Sequence, residues 1–263
     1  MTSRSAIVVF DIDGVVRDVG GSYRRALADT VEHYTSGAFR PSQLDIDALK
    51  SEGIWNNDWE ASQELVYRYF EAQGQTRSTL AIDYEQLVAF FQARYRGPDP
   101  IHWTGYICDE PLLMSADYVE QLTQAQISWG FFSGATTGSA RYVLETRIGL
   151  QDPILVAMED APGKPDPTGL LETICRIEGT IDTRTPVLYV GDTVADMYTV
   201  ENARQIHPDR PWFAVGILPP HVQESVDRQT RYAEALEKAG AQIIFNQVEA
   251  LTPNQIWTLV GKE

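Results

Sequence analysis

Short runs of almost wholly apolar residues recur along this chain, at 6–10, 127–132, 154–157, 187–190, 213–217 and 242–245, and several stop abruptly at Asp, Ser or Gly. Between the later runs lie stretches of helical character, at 140–147, 169–177, 197–204 and 229–239. Strands that alternate with helices at this spacing assemble into a parallel sheet. The runs lack the in–out alternation of a half-solvated sheet, as expected when helices cover both faces. The expected fold class is α/β, with a three-layer parallel sheet.

The first run is followed by a segment of different character. Residues 16–104 carry helical patterns at 22–35, 42–51, 58–72 and 84–96 and no convincing strand. The third pattern has Asn57 as N-cap with Glu60 three residues on, Gly74 just past its end, and Leu65, Val66, Tyr69 and Phe70 on one face. Gly20-Gly21 and Gly97-Pro98-Asp99-Pro100 bracket the block with residues suited to hinges. The expected organisation is a core of residues 1–15 and 105–263 with a helical insertion at 16–104.

Chemistry is expected where the strands end, because open parallel sheets bind ligands at their carboxyl edge. The first run leads into Asp11-Ile12-Asp13-Gly14, and carboxylates there can hold a cation or divide nucleophile and acid/base roles. The second ends in Phe132-Ser133-Gly134, where a hydroxyl and glycine-freed amides suit a phosphoryl group. Lys164 lies between Gly163 and Pro165, in a loop that restricts its reach and could bring its charge to such a group. The fourth run opens into Gly191-Asp192-Thr193-Val194-Ala195-Asp196, an oxygen-rich set suited to Mg²⁺. Each feature alone also reads as ordinary capping, turn formation or an exposed lysine.

Their order is more specific than their content. The succession D-I-D-G, S-G, G-K-P-D-P and G-D-T-V-A-D resembles the haloacid dehalogenase (HAD) superfamily over essentially the whole chain. The helical block resembles the cap of the subgroup that includes phosphoglycolate phosphatase and β-phosphoglucomutase. This resemblance implies a Rossmann-like core with an inserted all-helical cap domain. It implies Asp11 as nucleophile, forming an aspartyl-phosphate, and Asp13 as the acid that protonates the leaving oxygen and then activates water. Ser133, Gly134 and Lys164 would hold the phosphoryl oxygens. Mg²⁺ would lie among Asp11, the backbone carbonyl of Asp13 and Asp192, with Asp196 a ligand through water or a supporting neighbour. An acid at position 13 argues against carbon–halogen hydrolysis, whose leaving halide needs no proton. Phosphonate-cleaving relatives use a cap lysine instead.

The expected activity is Mg²⁺-dependent hydrolysis of a small phosphorylated metabolite of the phosphoglycolate or sugar phosphate type. A phosphomutase and a non-catalytic phosphate-ligand module are the alternatives. Within the helical block, Trp55-Asn56-Asn57-Asp58-Trp59 could meet a polyol, although a capped helix start with packed indoles is the simpler reading. Arg17, Arg24 and Arg25 could meet a second anionic group, against a simpler reading as solvated surface arginines. A net charge of −16 disfavours nucleic acid and anionic membranes as partners. The amino terminus does not read as a signal peptide and no run is long enough to span a bilayer. Cys108 and Cys175 lack metal-ligand spacing and fit a reducing compartment, so a cytoplasmic monomer or homodimer is expected.

Overall fold

The computed structural model describes residues 5–50, 52, 54–55, 57–179 and 184–261. It divides into two compact units, Val19–Glu110 and the pair of segments Met1–Asp18 and Pro111–Glu263. Residues 105–110 thus belong to the helical unit and 16–18 to the other, so the crossings fall at 18/19 and 110/111 rather than at 15/16 and 104/105.

The helical unit contains α1 (Tyr23–Tyr34), α2 (Gln43–Lys50), α3 (Asp58–Ala72) and α4 (Tyr84–Tyr95). The Asn57 side chain accepts hydrogen bonds from the amides of Trp59 at 2.9 Å and Glu60 at 3.4 Å, which satisfies donors otherwise orphaned at the start of α3. Helix α1 packs against α3 and α4, and Tyr23 stacks on Tyr95 with ring centroids 4.1 Å apart.

The other unit carries β1 (Ala6–Phe10), β2 (Ile127–Phe132), β3 (Leu155–Val156), β4 (Val187–Gly191), β5 (Trp212–Ile217) and β6 (Ile243–Phe245). Its helices are α5 (Ala116–Gln124), α6 (Thr137–Arg141), α7 (Thr168–Glu178), α8 (Val194–Ile206), α9 (Val226–Lys238) and α10 (Pro253–Leu259). The six strands form one parallel sheet in the order β3-β2-β1-β4-β5-β6. Alternate residues of β1 serve different layers. Ile7 and Val9 join the cluster built on Leu170 and Ile174 of α7, Met197 and Val200 of α8, and Leu236 of α9. Phe10 meets the ring of Tyr118 from α5. Every residue of β1 and β4 is buried, which explains their unbroken apolar sequence.

Four elements depart from the sequence expectation. Strand β3 is only two residues long because it pairs with β2 through Leu155 and Val156 alone, at the sheet edge. The helix expected over 140–147 begins at Thr137 and continues as a π-helical stretch, Tyr142–Ile148, until Gly149 turns left-handed at φ 91°. Helices α5 and α10, capped by Ser115 and Thr252, have no counterpart in the sequence reading.

The strand order places the site. From β1 the chain proceeds to β2 and β3 on one side and returns as β4 on the other, so a crevice opens at the carboxyl ends of β1 and β4. Asp11 and Asp192 follow those two ends directly, and the Asp11 amide donates to the Val190 carbonyl at 2.8 Å.

Candidate active site

Asp11 is held at both carboxylate oxygens. Its Oδ1 accepts the Ile12 amide at 2.7 Å, and its Oδ2 lies 2.8 Å from Lys164 Nζ. The same ammonium lies 2.7 Å from Asp196 Oδ1 and 5.4 Å from the ring centres of Phe132 and Tyr189. Lys164 is therefore enclosed by two carboxylates and two aromatic faces, each favourable to a desolvated cation.

Asp196 is fully buried and satisfied all round. The Tyr189 hydroxyl donates to its Oδ1 at 3.1 Å, while the Thr193 amide and hydroxyl donate to its Oδ2 at 2.9 and 2.6 Å. Thr193 and Asp196 form a capping box at the start of α8, so the carboxylate that caps this helix is also the one paired with Lys164. Asp11, Asp192 and Asp196 each bring an oxygen within 4.8 Å of the others, which makes them a cation-sized group of buried ligands. Backbone lies close behind them: a Cβ on Gly14 would fall 2.1 Å from Asp192 Oδ2, and one on Gly191 would fall 2.3 Å from the Asp196 Cβ. Gly14 also has φ of 77°, which disfavours any side chain there.

Three buried carboxylates face one lysine, and the balance of charge shows in their proton affinities. Burial, reinforced by Asp196 and Asp13 against the pull of Lys164, pushes the Asp11 carboxyl up to about 7. Burial and the charges of Asp196 and Asp11 drive Asp192 well above the usual carboxylate range. Asp196 goes the other way: burial opposes its ionisation, but Lys164 and the Thr193 hydrogen bonds together outweigh it. The donor set, all hard oxygen and short of positive charge, fits Mg²⁺.

A prediction follows from the sign of these shifts. Asp11 and Asp192 bind protons more tightly folded than unfolded, so without a cation stability falls as pH rises from about 4 through about 7. Asp196 contributes stability above its unfolded value and loses it only in more acid solution, outside that window. A divalent cation held by this cluster would compete with the Asp11 and Asp192 protons. The gain in Tm from MgCl₂ over EDTA should be near zero at about pH 5 and on the order of 5 °C at about pH 7.5. A gain equal at both values would place the cation elsewhere.

Asp13 stands apart from this cluster. Its side chain is about one-third exposed, and its Oδ1 accepts Arg17 Nε at 2.6 Å. Asp13 is not among the buried group of Asp11, Asp192 and Asp196. Arg17 corrects the sequence reading of a solvated surface arginine: it is completely buried. Ser133 is buried beyond β2, where its Oγ accepts the Ala135 amide at 3.1 Å and keeps its own proton to donate. Gly134 is exposed, with open space where a Cβ would lie.

In the helical unit, Arg24 pairs with Asp47 at 2.7 Å and Arg25 lies 4.1 Å from the Tyr106 ring centre. Trp55 and Trp59 are half-buried, and the Trp55 indole donates to Glu52 at 2.9 Å. Asn57 is occupied in capping, and Asn56 lies outside the described residues. Tyr189 and Thr193 escaped the sequence reading. Thr193 was accessible through its capping-box spacing to Asp196, whereas Tyr189 reads as filler in an apolar strand.

A family model described as haloacid dehalogenase-like hydrolase matches residues 6–204. Among solved structures, the phosphatase Tt82 from Thermococcus thioreducens superposes with a TM-score of 0.64 at 22% identity, over 88% of this chain and 99% of that one. A phosphonoacetaldehyde hydrolase-like protein from Oleispira antarctica gives 0.67 at 18% identity, over 98% and 92%. A putative β-phosphoglucomutase from Thermotoga maritima gives 0.60 at 15%, over 98% and 99%. These likenesses are of fold. A curated relative, the imidazoleglycerol-phosphate dehydratase of Phytophthora nicotianae, is 29% identical over 252 residues; the match takes in 93% of this chain but only about half, 51%, of that protein. Among the described residues, no helix is long and apolar enough to cross a membrane.

Proposed function

The chain belongs to the haloacid dehalogenase-like hydrolase family, and from that premise we propose that it is a Mg²⁺-dependent phosphatase acting on a small phosphate monoester. The observation that carries this reading is the Lys164 ammonium shared between Asp11 and Asp196 beside Asp192. It gives a buried carboxylate nucleophile the positive charge without which a phosphate dianion would be repelled.

Asp11 attacks phosphorus, forming an aspartyl-phosphate as the bond to the ester oxygen breaks. Asp13 gives its proton to that oxygen, which leaves as an alcohol, and then takes a proton from the water that releases inorganic phosphate and restores Asp11. Lys164, the Ser133 hydroxyl and the Gly134 amide orient the phosphoryl oxygens. Asp11, Asp192 and the Asp13 carbonyl would hold Mg²⁺, with Asp196 keeping Lys164 in place. When bound, the cation offsets the charge of nucleophile and phosphate. Phosphonate cleavage is disfavoured, because Lys50, the lysine of the helical unit, is paired with Asp58 at 2.7 Å.

The test is phosphate release from phosphoglycolate and from triose, pentose and hexose phosphates, with Mg²⁺ and with EDTA. Imidazoleglycerol phosphate joins the panel because a relative is named for it. Mg²⁺-dependent release, with one ester preferred by about 100-fold in kcat/KM, is the expected result. Conversion of one sugar phosphate to its isomer without phosphate release would identify a phosphomutase. Binding without turnover would identify a ligand-binding module.

A further inference from the structure

Arg17 occupies a position that the proposed chemistry leaves without a role. Its side chain is completely buried, yet the segment around it is a tight turn, not a core element. The Gly14 amide donates to the Arg17 carbonyl at 2.9 Å, and the Arg17 amide donates to the Ile12 carbonyl at 3.2 Å. On the far side, Arg17 bridges to Leu112 and the Leu113 amide donates to the Val16 carbonyl at 2.8 Å. The backbone of residue 17 is thus pinned from both sides before its side chain makes any contact.

An apolar residue would fill such a place without the desolvation cost of a guanidinium. The guanidinium instead donates from Nε to Oδ1 of Asp13 at 2.6 Å, and a terminal nitrogen lies 2.6 Å from the same oxygen as an ion-pair contact without hydrogen-bond geometry. A carboxylate on a short, partly exposed side chain rotates broadly about its last bond and presents either oxygen. A hydrogen bond and an ion-pair contact, both on Oδ1, restrict that freedom and leave Oδ2 as the oxygen that can carry and deliver a proton.

We propose that Arg17 is a positioning residue for proton transfer, clamping Oδ1 of Asp13 so that Oδ2 faces the departing oxygen. This rests on the phosphatase reading and on Asp13 as its acid. Arg17 itself touches neither substrate nor reacting atoms. Its contribution is realised only when the leaving oxygen needs a proton, and this separates it from a residue that merely stabilises the fold.

The test compares two leaving groups in Arg17→Met and Arg17→Lys. Phosphoglycolate, or the fastest alkyl ester of the panel, departs as an alkoxide that must be protonated. p-Nitrophenyl phosphate departs as a stable phenolate that needs no proton. In Arg17→Met, kcat/KM for the alkyl ester should fall about 100-fold, within the range that general acids supply, and that for p-nitrophenyl phosphate by about 3-fold or less. Values of kcat should fall for both, because both share the water-activation step. Arg17→Lys keeps the charge but not the fork, so it should restore part of the alkyl-ester rate and folds if the Met variant does not. Equal losses in kcat/KM on the two esters, or no loss on either, would overturn the proposal. Wild-type protein with no Mg²⁺-dependent release from either ester would remove the phosphatase reading itself, and this inference with it.

Discussion

Asp11→Asn should lower phosphate release by about four orders of magnitude or more while leaving the protein folded. The amide keeps the shape of the carboxylate and can still accept the Ile12 amide, but it has no oxygen able to attack phosphorus at a useful rate. The variant should also melt no lower than the wild type in EDTA at about pH 7.5. Burial and two neighbouring aspartates work against the charge on Asp11, and they raise its carboxyl to about 7 despite Lys164. Removing that charge relieves the repulsion, the usual relation between a strained catalytic group and stability. Phosphate release and thermal melting on the same preparation test both halves. Undiminished turnover would exclude Asp11 as nucleophile, and a large fall in Tm would mean that its pairing with Lys164 outweighs the repulsion.

Lys164→Met should be costly in both respects, with activity falling by about three orders of magnitude and stability by about 3 kcal/mol near neutral pH. Its loss strands Asp11 and Asp196 with no ammonium between them. Asp196 currently has its carboxyl held down by Lys164 and Thr193 against the opposing effect of burial. Without Lys164 its proton affinity rises, so the variant gains protons on folding and its deficit should shrink as pH falls toward about 5. Adding Asp196→Asn should recover part of the lost stability and none of the activity. Urea unfolding at two pH values checks this. A deficit constant with pH would show that the stability Lys164 supplies does not come through the ionisation of its carboxylate neighbours.

The strand-end chemistry was the most legible part of the sequence. Asp11, Ser133, Lys164 and Asp192 each follow a β-rich run or its loop, and a parallel sheet brings successive strand ends to one edge. What could not be read was partnership. Arg17 looks like a surface residue in sequence because a charged side chain near glycines normally is one; its burial depends on the segment at 111–113 that closes over the turn. Tyr189 looks like core, and it is core, but its hydroxyl ends at Asp196. Aspartates that read equally as caps or as site residues are separated only by three-dimensional context. Asp196 caps α8 and also lies with Asp11 and Asp192 in the acidic cluster.

The glycines at 14 and 191 carry a consequence for descent. Every single-base change that replaces a glycine codon installs a side chain, and at both positions that side chain would collide with an acidic residue of the cluster. Inherited variation at these codons therefore has no small step available: it meets either identity or loss. On the proposed reading, a change in the choice of ester would have to come through residues away from those two backbone walls.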